Sequence, residues 1–268
     1  MKNDPVLAAL ERLSGTDPAG LGTALDSKSN LVAAKAARLI GEGLYTEFVP
    51  QLSRAFLRFL EKGDKGCDAL TAIARALVLL DCDDAELWRK GIKHVQMEPG
   101  WGGSRDSAAE VRAISAMGLA NTRYPNKARE LVTLLADAEW TARGGAARAL
   151  GAVGSDAAAA VLRFKALIGD EEPEVLCDCL RALLSVEGAE AMPLVGRFAR
   201  SRDEAVREAA IHALGESRRE DAVELLKKLY EDTANPEIKS AIILALKASR
   251  TETGMKFVTF VESGSLPE

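Results

Sequence analysis

Arginine recurs at one position of an internal sequence repeat. From the first repeat to the last, this position holds Arg38, Arg75, Met117, Arg148, Arg181, His212 and Leu244. The residue one helical turn earlier is mostly small, which predicts that the guanidinium groups are accessible. Guanidinium groups pair bidentately with carboxylates and phosphates. This set, which we call the arginine column, therefore predicts a strip that binds an acidic protein segment, and an ordinary solvated face is the competing interpretation.

Two tryptophans are further candidates for contact with a partner. Trp101 lies in a Pro- and Gly-rich stretch from Glu98 to Ser107, where the repeat spacing reaches 42 residues against 31 to 33 later in the chain. This composition predicts a non-helical loop between the two helices of the third pair, with Trp101 as an anchor at its tip or as a cover for the seam between repeats. Trp140, just before the helix that carries Arg148, is either a second anchor or a hydrophobic staple.

The sequence contains no recognisable catalytic or metal-binding motif. The four cysteines show no metal-ligand spacing, and Cys177 and Cys179 point about 200° apart on a helix. Nucleophile, phosphate-loop and dinucleotide motifs are absent, since the Gly-rich stretches lack the strand-then-helix context. His212 lies in the arginine column, where it is either a pH-sensitive contact or simply solvated. We therefore predict a non-enzymatic protein with no cofactor and no metal.

An array of helix pairs must position these side chains. An aliphatic residue returns with spacings of 37, 42, 31, 33, 31 and 32 residues, at Ile40, Leu77, Leu119, Leu150, Leu183, Leu214 and Leu246. Such a recurrence is typical of a repeat array in which each unit buries its apolar face against its neighbours. The pattern predicts helix pairs at about 17–41, 44–80, 84–120, 124–151, 155–185, 187–215 and 219–248. Capping helices are expected within about 1–16 and 249–264, and the whole of 1–268 is expected to form one array.

The charge composition of the chain limits the classes of molecule expected to bind it. The formal net charge is -5 and the isoelectric point is near 5.4, which disfavours nucleic acid and anionic membranes as generic partners. No run approaches the ~18 apolar residues that span a bilayer. The N-terminal MKNDPVLAALERL carries acidic residues and fits neither a secretory signal nor a transit peptide. We expect a cytoplasmic protein, with a monomer favoured.

The stretch VREAAIHALGESRREDAVELLKKLYED, Val206 to Asp232, resembles the short HEAT repeat of the phycobilisome-lyase type, and ARGGAARALGAVGSDAAAAV from Ala142 is similar to it. The resemblance covers roughly residues 26–250. It implies an all-α, right-handed α-solenoid of about seven HEAT helix pairs whose second helices line a concave face. The resemblance implies that the side chains of the arginine column face the groove on that side. Arrays of this kind serve mostly as binding scaffolds for other proteins, and the repeats alone do not imply lyase activity.

Enzymes that resemble this scaffold supply the alternatives. Deoxyhypusine hydroxylase holds its di-iron site through repeated His-Glu pairs, whereas this chain has only His94, followed by Val95, and His212, followed by Ala213. HEAT-like DNA glycosylases use a basic face with aromatic residues; the chain has Trp88, Trp101 and Trp140 but is acidic. A bilin lyase or chaperone is the third alternative, and nothing beyond the repeat points to a tetrapyrrole.

Overall fold

The computed structural model describes residues 5–15, 17–100 and 102–263 of the chain. It forms two compact units, Met1–Ala149 and Leu150–Glu268, each of which is described by itself below. We call them the N-terminal and C-terminal units. The expectation of one uninterrupted array over the whole chain stays a prediction.

The N-terminal unit begins with α1, Pro5–Arg12, and continues in helix pairs. These are α2 (Pro18–Leu25) with α3 (Asn30–Glu42), α4 (Val49–Lys62) with α5 (Asp68–Leu79), α6 (Ala85–Gly91) with α7 (Ala109–Asn121), and α8 (Lys127–Leu134) with α9 (Trp140–Val153), whose last turn belongs to the C-terminal unit. Short 3-10 turns at Thr46–Phe48 and Lys65–Cys67 precede α4 and α5. The second helices α3, α5 and α7 pack side by side as one layer.

The C-terminal unit repeats the same arrangement. Its helices are α10 (Asp156–Ile168), α11 (Pro173–Glu187), α12 (Met192–Phe198), α13 (Glu204–Glu216), α14 (Glu220–Asp232), α15 (Pro236–Ser249) and α16 (Glu252–Ser263). A 3-10 turn at Gly188–Ala191 leads into α12. The second helices α11, α13 and α15 again lie side by side. Asp203 caps α13 by accepting the backbone N–H of Val206 at 3.1 Å, because the first turn of a helix leaves its donors unpaired.

All seven predicted helix pairs are present, and the all-α fold is confirmed. The seven recurring aliphatic side chains are completely buried, as a register that packs each pair on its neighbours requires. The helices α1 and α16 lie within the segments predicted to cap the array, whose outermost residues are not among those described.

The insertion is non-helical, as predicted, but it has regular structure that the sequence did not indicate. The insertion forms a β-hairpin in which β1, Met97–Gly100, pairs antiparallel with β2, Gly103–Asp106. Gly102 and Gly103 turn the chain with φ values of 91° and 140°, a region that side chains with a Cβ rarely enter. The hairpin joins α6 to α7, the position predicted for the insertion. Trp101 lies outside the described residues.

The base of the hairpin is attached to the turn that precedes α5. The Gln96 side chain donates to the Asp64 carbonyl oxygen at 2.6 Å and accepts the Asp64 backbone N–H at 3.1 Å. A carboxylate oxygen of Glu98 accepts the backbone N–H of Gly66 at 2.8 Å. These bonds satisfy backbone groups that the turn leaves unpaired, so the hairpin base is part of the packed structure.

Candidate functional site

The arginine column is exposed at its first two positions in the N-terminal unit. Arg38 projects from α3 and Arg75 from the adjacent α5. Among the residues that the structure describes, Arg38 has no ion-pair partner. Arg75 forms an ion pair with Glu110 in the first turn of α7, and 62% of its side chain stays exposed. Both guanidinium groups are therefore accessible from solvent.

Two exposed leucines accompany these arginines. Leu31 lies two helical turns before Arg38 on α3, and Leu79 lies one turn after Arg75 on α5, so each leucine shares the face of its arginine. We call the four residues Leu31, Arg38, Arg75 and Leu79 the N-terminal face. It combines positive charge with exposed apolar surface, and the sequence analysis identified the arginines of this face without the leucines.

The two later arginines of the arginine column differ in exposure. Arg148 is exposed on α9. Arg181 on α11 is half-buried and pairs with both Asp178, on the same helix, and Glu216 at the end of α13. The prediction of unobstructed guanidinium groups is therefore wrong for Arg181. Small residues one turn earlier cannot prevent pairing with carboxylates on the next helix.

His212 has neighbours that the sequence did not reveal. The Cys177 Sγ atom on α11 lies 3.4 Å from the His212 Nδ1 atom on α13. A Glu216 carboxylate oxygen lies 3.9 Å from the same nitrogen. The donor atoms of the three side chains all lie within 4.8 Å of one another. We call Cys177, His212 and Glu216 the C-terminal cluster.

The spacing contained a signal for the C-terminal cluster. Cys177 is the small residue one turn before the column position of its own repeat, and His212 occupies the column position of the next repeat. The second helices of consecutive repeats pack side by side, so a residue one turn before the column position can contact the column residue of the next repeat, here 35 positions away. Motif searches by short spacing miss such a pair.

The cysteine thiols are poorly suited to act as free nucleophiles. Burial raises the pKa of Cys177 to about 12, the pKa of Cys179 to about 12 and the pKa of Cys67 to about 11. Burial also raises the pKa of Cys82. Because the thiolate is the reactive form, burial disfavours nucleophilic reactivity of these thiols at neutral pH as long as no cation is bound to them.

The structure separates the tryptophans into different roles. Trp140 is exposed as the first residue of α9, so it remains available as an anchor. Trp88 is completely buried, and its indole N–H donates to the Cys82 carbonyl oxygen at 2.9 Å. Trp101, the candidate at the tip of the hairpin, lies outside the described residues.

Comparison with known proteins identifies one family. A family model described as HEAT repeats matches residues 103–164 and 162–247. No curated protein matches the sequence.

Several solved structures are similar to the chain at low sequence identity. Human deoxyhypusine hydroxylase in complex with glycerol is 16% identical, with 91% of this chain and 95% of that chain covered and a TM-score of 0.35. The complex of CpcE and CpcF of phycocyanin lyase from Nostoc sp. PCC7120 is 14% identical, with 98% of both chains covered and a TM-score of 0.34. A homology model of the full-length AP-3 complex is 12% identical with a TM-score of 0.46; the match covers 91% of this chain and 53% of that chain.

None of the described helices is both long enough and apolar enough to cross a membrane.

Proposed function

Because this chain belongs to the HEAT-repeat family, we propose that it is a non-enzymatic protein-interaction scaffold that binds an acidic segment of a partner on its N-terminal face. One observation supports this most directly. Two exposed guanidinium groups, Arg38 and Arg75, share the faces of two adjacent helices with two exposed leucines. Arginines and apolar side chains that lie together at a surface are typical of the residues that dominate binding energy.

The charges on this face favour a partner that carries carboxylates. Arg38 has no ion pair with any described residue, so a carboxylate of a partner would be its first. The pair of Arg75 with Glu110 is exposed on both sides, and such pairs stabilise a protein little. A partner carboxylate can therefore replace Glu110 at small cost, and the guanidinium group can donate to both of its oxygens.

The leucines favour a segment with apolar side chains as well as acidic ones. Leu31 and Leu79 are the first and last residues of the N-terminal face and are both exposed. Burying them against a partner removes apolar area from water, which contributes roughly 25 cal/mol per Å² before the costs of association. The partner segment is therefore expected to alternate acidic with aliphatic or aromatic residues.

Net charge and cysteine chemistry support two further parts of the proposal, the class of partner and the cellular compartment. The net charge of -5 disfavours nucleic acid as the partner. All four cysteines are unpaired thiols, as is usual in a reducing compartment, so we place the protein in the cytoplasm as part of this proposal. Arg148 and Trp140 on α9 are proposed as secondary contacts.

A charge reversal with a matched control tests the proposal. Proteins captured from the native cell by the wild-type chain are compared with those captured by the double variant Arg38→Glu/Arg75→Glu. The control is Arg54→Glu/Arg123→Glu, which reverses two exposed arginines outside the N-terminal face. We expect a partner that the wild type and the control retain and that the face variant loses by at least about tenfold in affinity, with unchanged melting temperatures.

Two results would contradict the proposal. One is a partner that the face variant and the control bind equally. The other is a purified complex whose affinity is unaffected by salt, because an interaction between arginines and carboxylates at an exposed surface must weaken as ionic strength rises.

A further inference from the structure

We propose that the C-terminal cluster, Cys177, His212 and Glu216, binds one Zn²⁺ ion between the second helices of two consecutive repeats. This goes beyond the proposed scaffold function, and it lies in a different unit from the N-terminal face. The three side chains supply one sulfur, one nitrogen and one oxygen donor. Within the part of the chain that the structure describes, it is the one group of at least three such side chains whose donor atoms converge.

The three donor atoms lie near the spacing that a shared tetrahedral ion requires. Zinc lies about 2.3 Å from a thiolate sulfur, about 2.0 Å from an imidazole nitrogen and about 2.1 Å from a carboxylate oxygen. Donors on neighbouring corners of such a tetrahedron are therefore about 3.3 to 3.6 Å apart. The Cys177 Sγ to His212 Nδ1 distance is 3.4 Å, and the His212 Nδ1 to Glu216 oxygen distance is 3.9 Å. The His212 to Glu216 distance exceeds this spacing, so zinc binding requires the Glu216 side chain to move a few tenths of an ångström closer.

The chemistry of the donors selects the metal. A thiolate is a soft ligand that Mg²⁺ and Ca²⁺ avoid, while zinc accepts mixed sulfur, nitrogen and oxygen sets. Binding replaces the thiol proton of Cys177 by the metal and releases that proton to solvent. Three protein ligands leave the fourth corner to water or to a ligand atom of a partner. His212, 62% of whose side chain is exposed, keeps that corner accessible.

The surrounding charges offset those of the bound ion. The thiolate of Cys177 and the carboxylate of Glu216 balance the two positive charges of zinc. Arg181 contacts Glu216, and the carboxylate of Asp178 offsets the charge of that guanidinium group. Arg181 thereby orients the carboxylate from the second coordination sphere. The carboxyl end of α13 lies at Glu216, and the negative end of the helix dipole favours a cation there.

The proposal explains why a thiol and an imidazole lie together at this surface. A zinc ion there would join α11 to α13 and order the exposed face of the C-terminal unit. A hydrogen bond between Cys177 and His212 in the absence of metal is the competing account, because the 3.4 Å contact also fits a thiol donating to the ring nitrogen.

The test uses the untagged full chain, stripped with a chelator and dialysed. Isothermal titration with Zn²⁺ should give one equivalent bound, and Co²⁺ should produce a sulfur-to-metal charge-transfer absorption with intense tetrahedral ligand-field bands. Cys177→Ser and His212→Gln should each weaken zinc binding by at least about tenfold and Cys177→Ser should abolish the charge-transfer band. The matched controls are Cys179→Ala, a buried cysteine on the same helix, and His94→Gln, and both should bind as the wild type does.

Three results would overturn the proposal: no zinc bound at micromolar concentration, a cobalt complex without the charge-transfer band, or unchanged binding by both cluster variants. The cobalt spectrum of the wild type does not depend on whether any variant folds. Because the N-terminal face is intact in each cluster variant, failure here leaves the result of the charge-reversal experiment unaffected.

Discussion

Arg112 and Asp137 form a bidentate ion pair inside the N-terminal unit. The Arg112 Nε atom lies 2.9 Å from one oxygen of Asp137, and its Nη2 atom lies 2.8 Å from the other. Only 3% of the arginine side chain is exposed. The remaining terminal nitrogen donates to Asp106 at 2.6 Å and to the carbonyl oxygen of His94 at 2.8 Å. Arg112 thus connects α7 to the turn before α9, which belongs to the following repeat.

We expect Arg112→Ala to lower the free energy of unfolding by about 3 to 5 kcal/mol, because it leaves two carboxylates without their cation in a largely dry environment. Burial raises the pKa of Asp106, but hydrogen bonds from the backbone N–H groups of Gln96 and Ala108 and from Arg112 outweigh it and hold the pKa below its ordinary value. Urea unfolding followed by circular dichroism measures the change. Arg54→Ala, at an exposed arginine of α4, is the control and should cost less than about 0.5 kcal/mol. A loss below about 1 kcal/mol for Arg112→Ala would show that this network is not structural.

A second prediction concerns the recurring aliphatic position. Leu214 on α13 is completely buried, whereas Leu244 on α15 has 67% of its surface exposed. Leu214→Ala should lower the free energy of unfolding by about 2 to 5 kcal/mol through lost burial and a residual cavity. Leu244→Ala should change it by less than about 0.5 kcal/mol. Equal effects of the two substitutions in urea unfolding would be inconsistent with the packing described.

The helix pairs could be predicted from the sequence because burial imposes a period on it. Residues such as Leu77 and Leu214 recur once per repeat, and each occupies the same place between neighbouring pairs. The hairpin could not be predicted in this way. Its strands have only four residues each, contain Pro99 and Gly100, and are mostly exposed, so they carry no alternation of apolar and polar residues.

The site was only partly predictable, because partners on neighbouring helices decide what an exposed residue does. Arg75 and Arg181 occupy the same repeat position, yet Arg75 stays exposed beside one glutamate and Arg181 is half-buried between two carboxylates. The repeat position alone predicts neither the exposure nor the pairing of these arginines, because Glu110 and Glu216 contact them from the next repeat. The C-terminal cluster depends on the same contact between repeats.

A third prediction tests the close approach of α9 to α7. A Cβ atom added at Gly145 would lie 2.5 Å from the Cα atom of Ala113, which is backbone and cannot move aside. Gly145→Ala should therefore destabilise the protein by about 1 to 3 kcal/mol, although alanine is the better helix former by about 1 kcal/mol.

The matched control for this substitution is Gly22→Ala in α2. There the added Cβ atom would meet the flexible end of Gln51 at 3.3 Å, so the intrinsic preference of alanine should leave stability unchanged or slightly raised. Melting temperatures of the two variants, measured under identical conditions, test whether α9 approaches α7 this closely. An unchanged melting temperature for Gly145→Ala would mean that α9 and α7 are further apart than described.

The last prediction is a pH dependence that arises from His94. Burial lowers the pKa of His94 from its ordinary value of 6.5, and its Nε2 atom has no hydrogen-bond partner among the described residues. The carboxylate of Asp106 opposes this shift and the guanidinium group of Arg112 adds to it. The unfolded chain therefore binds a proton at His94 more readily than the folded chain does. The free energy of unfolding thus rises with pH over the range in which this histidine loses its proton.

As the pH falls from about 7.5 to about 5.5, this histidine should reduce the free energy of unfolding, with a slope of at most about 1.4 kcal/mol per pH unit. His94→Gln should flatten that part of the profile. Urea unfolding of the two proteins at half-unit pH steps separates this contribution from that of the carboxylates, which both proteins share. If the wild type and His94→Gln show parallel profiles, His94 titrates equally in both states and its burial has no consequence for stability.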